Sequence, residues 1–201
     1  MTLDKLRPLA DRAVGPFVSA ATRVGVTPNG VSVLAIAVAG GAALSFYGAG
    51  SEPLLYAAGA VLVFLNGWLD VIDGALAREL AVDSAAGDLL DHVLDRYADI
   101  LIVIGLAAGI GRYALGFAAV TGVLMTSYLG TQAQAVGLER VYGGAVGRAD
   151  RLVIVGVVTF FTPLVDTVGG LSPVAWLLAV LAVVGHLTAL QRFYYSMRAL
   201  S

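Results

Sequence analysis

Residues 70–95 read Asp70-Val71-Ile72-Asp73-Gly74-Ala75-Leu76-Ala77-Arg78-Glu79-Leu80-Ala81-Val82-Asp83-Ser84-Ala85-Ala86-Gly87-Asp88-Leu89-Leu90-Asp91-His92-Val93-Leu94-Asp95. Residues 54–69 before this stretch and 100–111 after it carry no charged side chain. The acids therefore sit on two apolar segments of membrane-crossing length. An ionisable group inside a membrane span costs about 3 kcal/mol or more, so a row of them marks a working centre. Asp70 and Asp73 are spaced i, i+3 and share one helix face; Asp91 and Asp95, at i, i+4, share another. A turn at Val82-Asp83-Ser84 would run the second segment back antiparallel to the first. Counted from Asp83, Asp73 is ten residues before the turn, and Asp91 and Asp95 are eight and twelve after it. The two pairs fall at matching depth. Four converging carboxylates repel unless neutralised, and hard divalent cations do this best. Two ions held about 4 Å apart by shared carboxylates would suit in-line displacement at phosphorus.

The rest of the chain agrees with a membrane setting. Of 201 residues 59% are hydrophobic and 13% charged, against roughly 25% charged in soluble domains. Mean hydropathy is +0.87. The formal net charge of −2 says little about partners, and no nucleic-acid partner is expected. No cysteine is present, which excludes disulfides, thiolate catalysis and cysteine-held metals. The opening MTLDKLRPLADR does not read as a signal peptide.

The expected fold is all-α: an integral membrane bundle of six transmembrane helices preceded by an amphipathic surface helix. Leu3, Leu6, Leu9, Val14, Phe17 and Val18 recur at helical spacing among charges, so residues 1–25 form the amphipathic segment, broken near Gly15-Pro16. Residues 26–201 form the bundle. Thr27 caps its first helix, with Pro28 at the first helical position. The spans fall at about 29–49, 53–80, 85–109, 112–136, 150–170 and 173–198. In this arrangement Lys5, Arg7, Arg12, Arg23, Arg78, Arg140, Arg148, Arg151, Arg192 and Arg198 lie on one side, and only Arg112 on the other. The basic side is cytoplasmic, and both termini lie there.

Between the acids, Gly74 follows Asp73, Ala77 lies one turn beyond it, and Gly87 one turn before Asp91. Small side chains there let a bulky ligand approach closely, and Arg78 can meet phosphate at the cytoplasmic mouth. Written as Asp70-x2-Asp73-Gly74-x2-Ala77-Arg78-x8-Gly87-x3-Asp91-x3-Asp95, the stretch resembles the signature of the CDP-alcohol phosphotransferase family, with every fixed position filled. The resemblance implies a cell-membrane enzyme, with its active site on the cytoplasmic side, acting on a CDP-linked donor with Mg²⁺ or Mn²⁺, two ions per site. An acceptor hydroxyl attacks the phosphorus attached to the lipid, and CMP leaves. By position, Asp70, Asp73, Asp91 and Asp95 become the metal site, with Asp95 also the catalytic base. Asp70, Gly74, Ala77, Arg78 and Gly87 become the CDP pocket. Family members are similar homodimers.

The acceptor is expected to be a phosphorylated polyol. Residues 140–151 contain a Gly-rich turn with Arg148 and Arg151 beside a helix start, a setting for an anionic group. This loop and Ser127-Tyr128 are similar to the branch that transfers onto inositol phosphate. The basic residues that usually follow that pair are replaced by Leu129-Gly130-Thr131-Gln132-Ala133-Gln134, which leaves glycerol phosphate open. A non-phosphorylated alcohol, inositol or serine, is the alternative acceptor. An ion-coupled transporter is the rival from another class, although it would spread its acids over several spans. Asp99 is expected as a supporting acid paired with Arg96, while Asp83 and Asp88 are turn acids. His92 points away from the acidic row, and His186 is a packed histidine.

Overall fold

The computed structural model describes residues 7–82, 84–139 and 146–201, with side chains from residue 13 onward. Thr27 starts the first long helix: its Oγ1 accepts the Gly30 N–H at 3.2 Å, with Pro28 in the first turn. Seven α-helices follow one another: α1 Arg7–Val24, α2 Pro28–Gly48, α3 Leu54–Leu80, α4 Ala85–Gly109, α5 Tyr113–Ala135, α6 Arg148–Phe161 and α7 Pro173–Leu200. Among the described residues the only other regular features are a 3₁₀ turn at Thr162–Leu164 and an isolated bridge between Val168 and Leu171. The chain is all-helical.

Four helices, α2, α3, α5 and α7, are long and apolar enough to cross a membrane. They make this a membrane protein. The helix α4 is as long, at 25 residues, but its first half carries the acidic row, while α6 has 14 residues.

Two departures from the sequence expectation involve proline. α1 does not break at Gly15-Pro16 but runs through Pro16 to Val24. Val14 and Val18 are buried there against Ile72 and Leu76 of α3. A single continuous apolar face offsets the cost of an interior proline, about 3 kcal/mol. Leu3 and Leu6 lie outside the described residues, as do the side chain of Leu9, Asp83 and Arg140. The fifth expected span, 150–170, instead ends as a helix at Phe161. Pro163 has no N–H with which to continue the ladder, and the chain tightens to the 3₁₀ turn.

Close helix contacts depend on small residues. α2 packs along both α3 and α4, and α5 along α7. At Gly105 of α4 a Cβ would stand 2.6 Å from the backbone of Ala43 in α2, and at Gly185 of α7 it would stand 2.7 Å from the Gly122 carbonyl carbon. Neither position tolerates a side chain without moving a helix. Thr126 Oγ1 bridges the second contact, donating to the carbonyls of Gly185 (2.8 Å) and Gly122 (3.0 Å). The core between these pairs is filled by Phe46, Val63, Leu106 and Leu178.

Candidate active site

The two acidic helices are joined tightly. Ala81 takes the left-handed conformation (φ 50°) that ends α3, and Val82 N–H bonds back to the Ala77 carbonyl at 3.2 Å. Ser84 Oγ then accepts the Gly87 N–H at 3.0 Å to open α4. The helices do not pack along each other as a closed hairpin, however; each lies on α2. A cleft of about 750 Å³ opens between them, lined by Asp73, Gly74, Ala77, Arg78, Gly87 and Asp91 from the signature. Thr27, Pro28, Asn29 and Ser32 of the α2 entrance complete its wall.

Three of the four expected metal residues converge: one carboxylate oxygen each from Asp70, Asp91 and Asp95 lies within 4.8 Å of the others. The fourth, Asp73, is buried, and its Oδ2 accepts a hydrogen bond from Ser32 Oγ at 2.8 Å. It stands between this group and the cleft, lining both the cleft and the small cavity beneath the acids.

Arginines close the other side. Arg148, the first residue of α6, reaches Asp70 Oδ2 at 2.8 Å and Asp95 Oδ1 at 2.7 Å. Arg151, one turn on, is buried and holds Asp99 Oδ2 at 2.6 Å. The partner expected for Asp99, Arg96, does pair with it at 3.8 Å and also stands 3.6 Å from Asp95, but Arg151 is nearer. Because Asp99 points toward α6, the shorter pair forms with Arg151. Thus Arg148 faces the metal group directly, whereas Arg151 is engaged with the supporting acid.

Arg96, Arg148 and Arg151 engage Asp70, Asp95 and Asp99, and Asp91 joins Asp70 and Asp95 in the converging carboxylate group. The donors are all carboxylate oxygens, the set preferred by Mg²⁺ and Mn²⁺. The residues present fit a divalent cation.

Several neighbours were not foreseen as site residues. Asn29 and Ser32 sit at i, i+3 on the first turn of α2 and line the cleft. The stretch Thr27-Pro28-Asn29 reads as a helix start that is also similar to the family's, without marking either side chain as part of the site. Ser32 carries no sequence signal of its own, since its role depends on α2 lying beside α3. His92 turns away, its Nδ1 2.8 Å from the Asp88 carbonyl oxygen and 3.3 Å from the Asp88 carboxylate. His186 packs against α5 with Nε2 3.4 Å from Thr121 Oγ1. Trp68 meets Phe17 edge-to-face at 5.7 Å.

An all-helical membrane protein with clustered carboxylates beside an open cleft has the features of a membrane enzyme that uses a divalent metal ion. Residues 25–185 match the CDP-alcohol phosphatidyltransferase family, and the chain belongs to that family. It is 33% identical to the archaetidylinositol phosphate synthase of Methanothermobacter thermautotrophicus over 96% of this chain and 93% of the relative. The crystal structure of Mycobacterium tuberculosis phosphatidylinositol phosphate synthase with CDP-DAG bound superposes with a TM-score of 0.78 at 27% identity, covering 92% of this chain and 94% of that one. The same enzyme in complex with manganese and citrate gives a TM-score of 0.77 at 26% identity, covering 90% and 88%.

Proposed function

We propose that this protein transfers the phosphatidyl-type group of a CDP-linked lipid to a phosphorylated polyol, inositol phosphate first and glycerol phosphate second, releasing CMP. The observation that carries the reading is the cleft itself: it is lined by the CDP-pocket positions of the signature and shares Asp73 and Asp91 with the acid cluster. Relatives named as inositol phosphate synthases support the choice of acceptor.

Asp70, Asp73, Asp91 and Asp95 would hold two divalent ions, Mg²⁺ or Mn²⁺. The converging carboxylates suit one cation, and the donor's diphosphate brings further charge for a second. When bound, such ions neutralise the diphosphate and the departing CMP. Asp70, Gly74, Ala77, Arg78 and Gly87 receive the CDP moiety; the side-chain-free edge at Gly74 admits it, and Arg78 offers its guanidinium to phosphate. Arg148, with Arg151 behind it, meets the acceptor's phosphate and sets its hydroxyl beside Asp95. Asp95 accepts the hydroxyl proton as the oxygen attacks the lipid-linked phosphorus. The bond to CMP breaks on the opposite side. Arg148 holds the Asp95 carboxylate at 2.7 Å, and its transfer to the acceptor phosphate would free Asp95 for the proton.

The same reading orients both termini and the cleft toward the cytoplasm. It treats residues 1–25 as a juxtamembrane segment on a six-span domain covering 26–201, and pairs two copies as a homodimer. The test is CMP release by purified protein from CDP-diacylglycerol and from its archaeal ether counterpart. Each donor is offered inositol phosphate, glycerol phosphate, inositol or serine, with and without Mg²⁺ or Mn²⁺. Metal-dependent release with inositol phosphate is expected. Release only with inositol or serine overturns the acceptor, and no release with any pair overturns the activity.

A further inference from the structure

Asn66 lies one helical turn before Asp70 on α3, on the same face, and is 1% exposed. Its Nδ2 donates to the Ala35 carbonyl of α2 at 2.8 Å, which fixes the amide orientation. The Oδ1 is thereby turned away from Ala35, and no described protein donor reaches it. A buried amide oxygen left without a donor costs about 1–3 kcal/mol, so its retention needs a reason. That reason lies in the space beside it. Asn66 lines a small cavity together with Asp70, Asp73, Asp91 and Asp95. The centre of a water molecule has ≈ 10 Å³ in which to move there, close to the minimum of about 10–15 Å³ for holding one water. Carboxylate oxygens and an amide oxygen supply acceptors for both water protons.

We infer that Asn66 is a positioning residue of the metal centre: its Oδ1 accepts a hydrogen bond from a single buried water that is also a ligand of the bound divalent ion. The inference rests on the proposed metal-holding role of the aspartates. Water is the right size for the space, and Mg²⁺ and Mn²⁺ commonly keep water ligands. With one proton on Asn66 Oδ1 and the other on a carboxylate, the water turns its lone pair toward the cation. A water held this way would be a neutral ligand, adding no further charge to the carboxylate cluster. Outer partners that orient metal ligands in this way typically contribute 10–100-fold to metal affinity.

Three purified proteins test this: the parent, Asn66→Leu and Asn66→Ser. Leu matches the size of Asn but offers no acceptor, whereas Ser keeps a hydroxyl facing the cavity. Mn²⁺ binding is titrated by electron paramagnetic resonance, and water deuterons on the bound ion are counted by electron spin-echo modulation in D₂O. Metal-free unfolding temperature is measured alongside. Asn66→Leu should bind Mn²⁺ about ten-fold more weakly and show one water fewer, with its metal-free unfolding temperature unchanged or raised. Asn66→Ser should keep the water and stay within a few-fold of the parent. Equal affinity and equal water count in all three proteins overturns the inference, as does a loss in Asn66→Leu that only follows a lower metal-free unfolding temperature. If the parent itself binds no Mn²⁺, the metal-site reading falls first and the role of Asn66 with it.

Discussion

Asp91 is the acid common to the cleft and the metal group: it lines the one and contributes an oxygen to the other. Replacing it with Asn keeps the volume and removes the charge. Asp91→Asn should lower CMP release at least 10²-fold, the scale seen when one preorganised charge-stabilising group is lost, while the protein remains folded in detergent. Unchanged turnover would sink the proposed mechanism. The convergence of Asp70, Asp91 and Asp95 was legible because i, i+3 and i, i+4 spacing defines a helix face whatever surrounds it. Ser32, Asn66 and the Asp99–Arg151 pair were not, because each depends on a side chain meeting a residue from a different helix. Arg151 illustrates the limit. Its position beside a Gly-rich turn suggests an anion site, yet its nearest anion is a carboxylate of the protein, at 2.6 Å.

At the scale of helices, α2 does more than cross the bundle. It separates α3 from α4, lends Ser32 to Asp73 and Ala35 to Asn66, and forms one wall of the cleft. Its grip on α4 depends on Gly105. Gly105→Leu should therefore displace α4, lowering stability by about 1–3 kcal/mol or more and reducing CMP release together with it. A thermal melt in detergent reads the first effect, and a variant that melts with the parent would show that this contact is not structural. Helix positions were readable from apolar runs and caps: Thr27, Ser84 and Ser172 each accept an N–H at a helix start. Proline was the weaker guide. Pro16 sits inside α1 because Val14 and Val18 anchor both sides of it, whereas Pro163 coincides with the end of α6, where no equally buried face continues.

For the molecule as a whole, the lopsided placement of basic residues implies a fixed orientation, and the lack of cysteine makes it testable. In sealed right-side-out vesicles, Glu52→Cys should react with an impermeant maleimide, whereas Ser201→Cys should react only after the membrane is opened. Reaction of both from the same side would overturn the six-span arrangement. The four long apolar helices were legible from hydropathy; the separation of α3 from α4 was not, since nothing in a hydropathy profile records which helix wedges between two others.

The 14 residues of α6 have a further consequence. At about 1.5 Å per residue they rise about 21 Å, well short of a hydrocarbon layer about 30 Å thick. On the proposed six-span arrangement, even with the 3₁₀ turn added, a membrane around α6 would have to thin or dip to meet it, an instance of hydrophobic mismatch. Arg148 is the first residue of that short helix and grips Asp70 and Asp95, so on that arrangement these carboxylates would lie near the level where acyl chains give way to headgroups. On the proposed activity, a donor could slide in sideways with its tails still among neighbouring lipids, offering only its diphosphate to the protein. The acceptor, soluble and charged, would come from the water above.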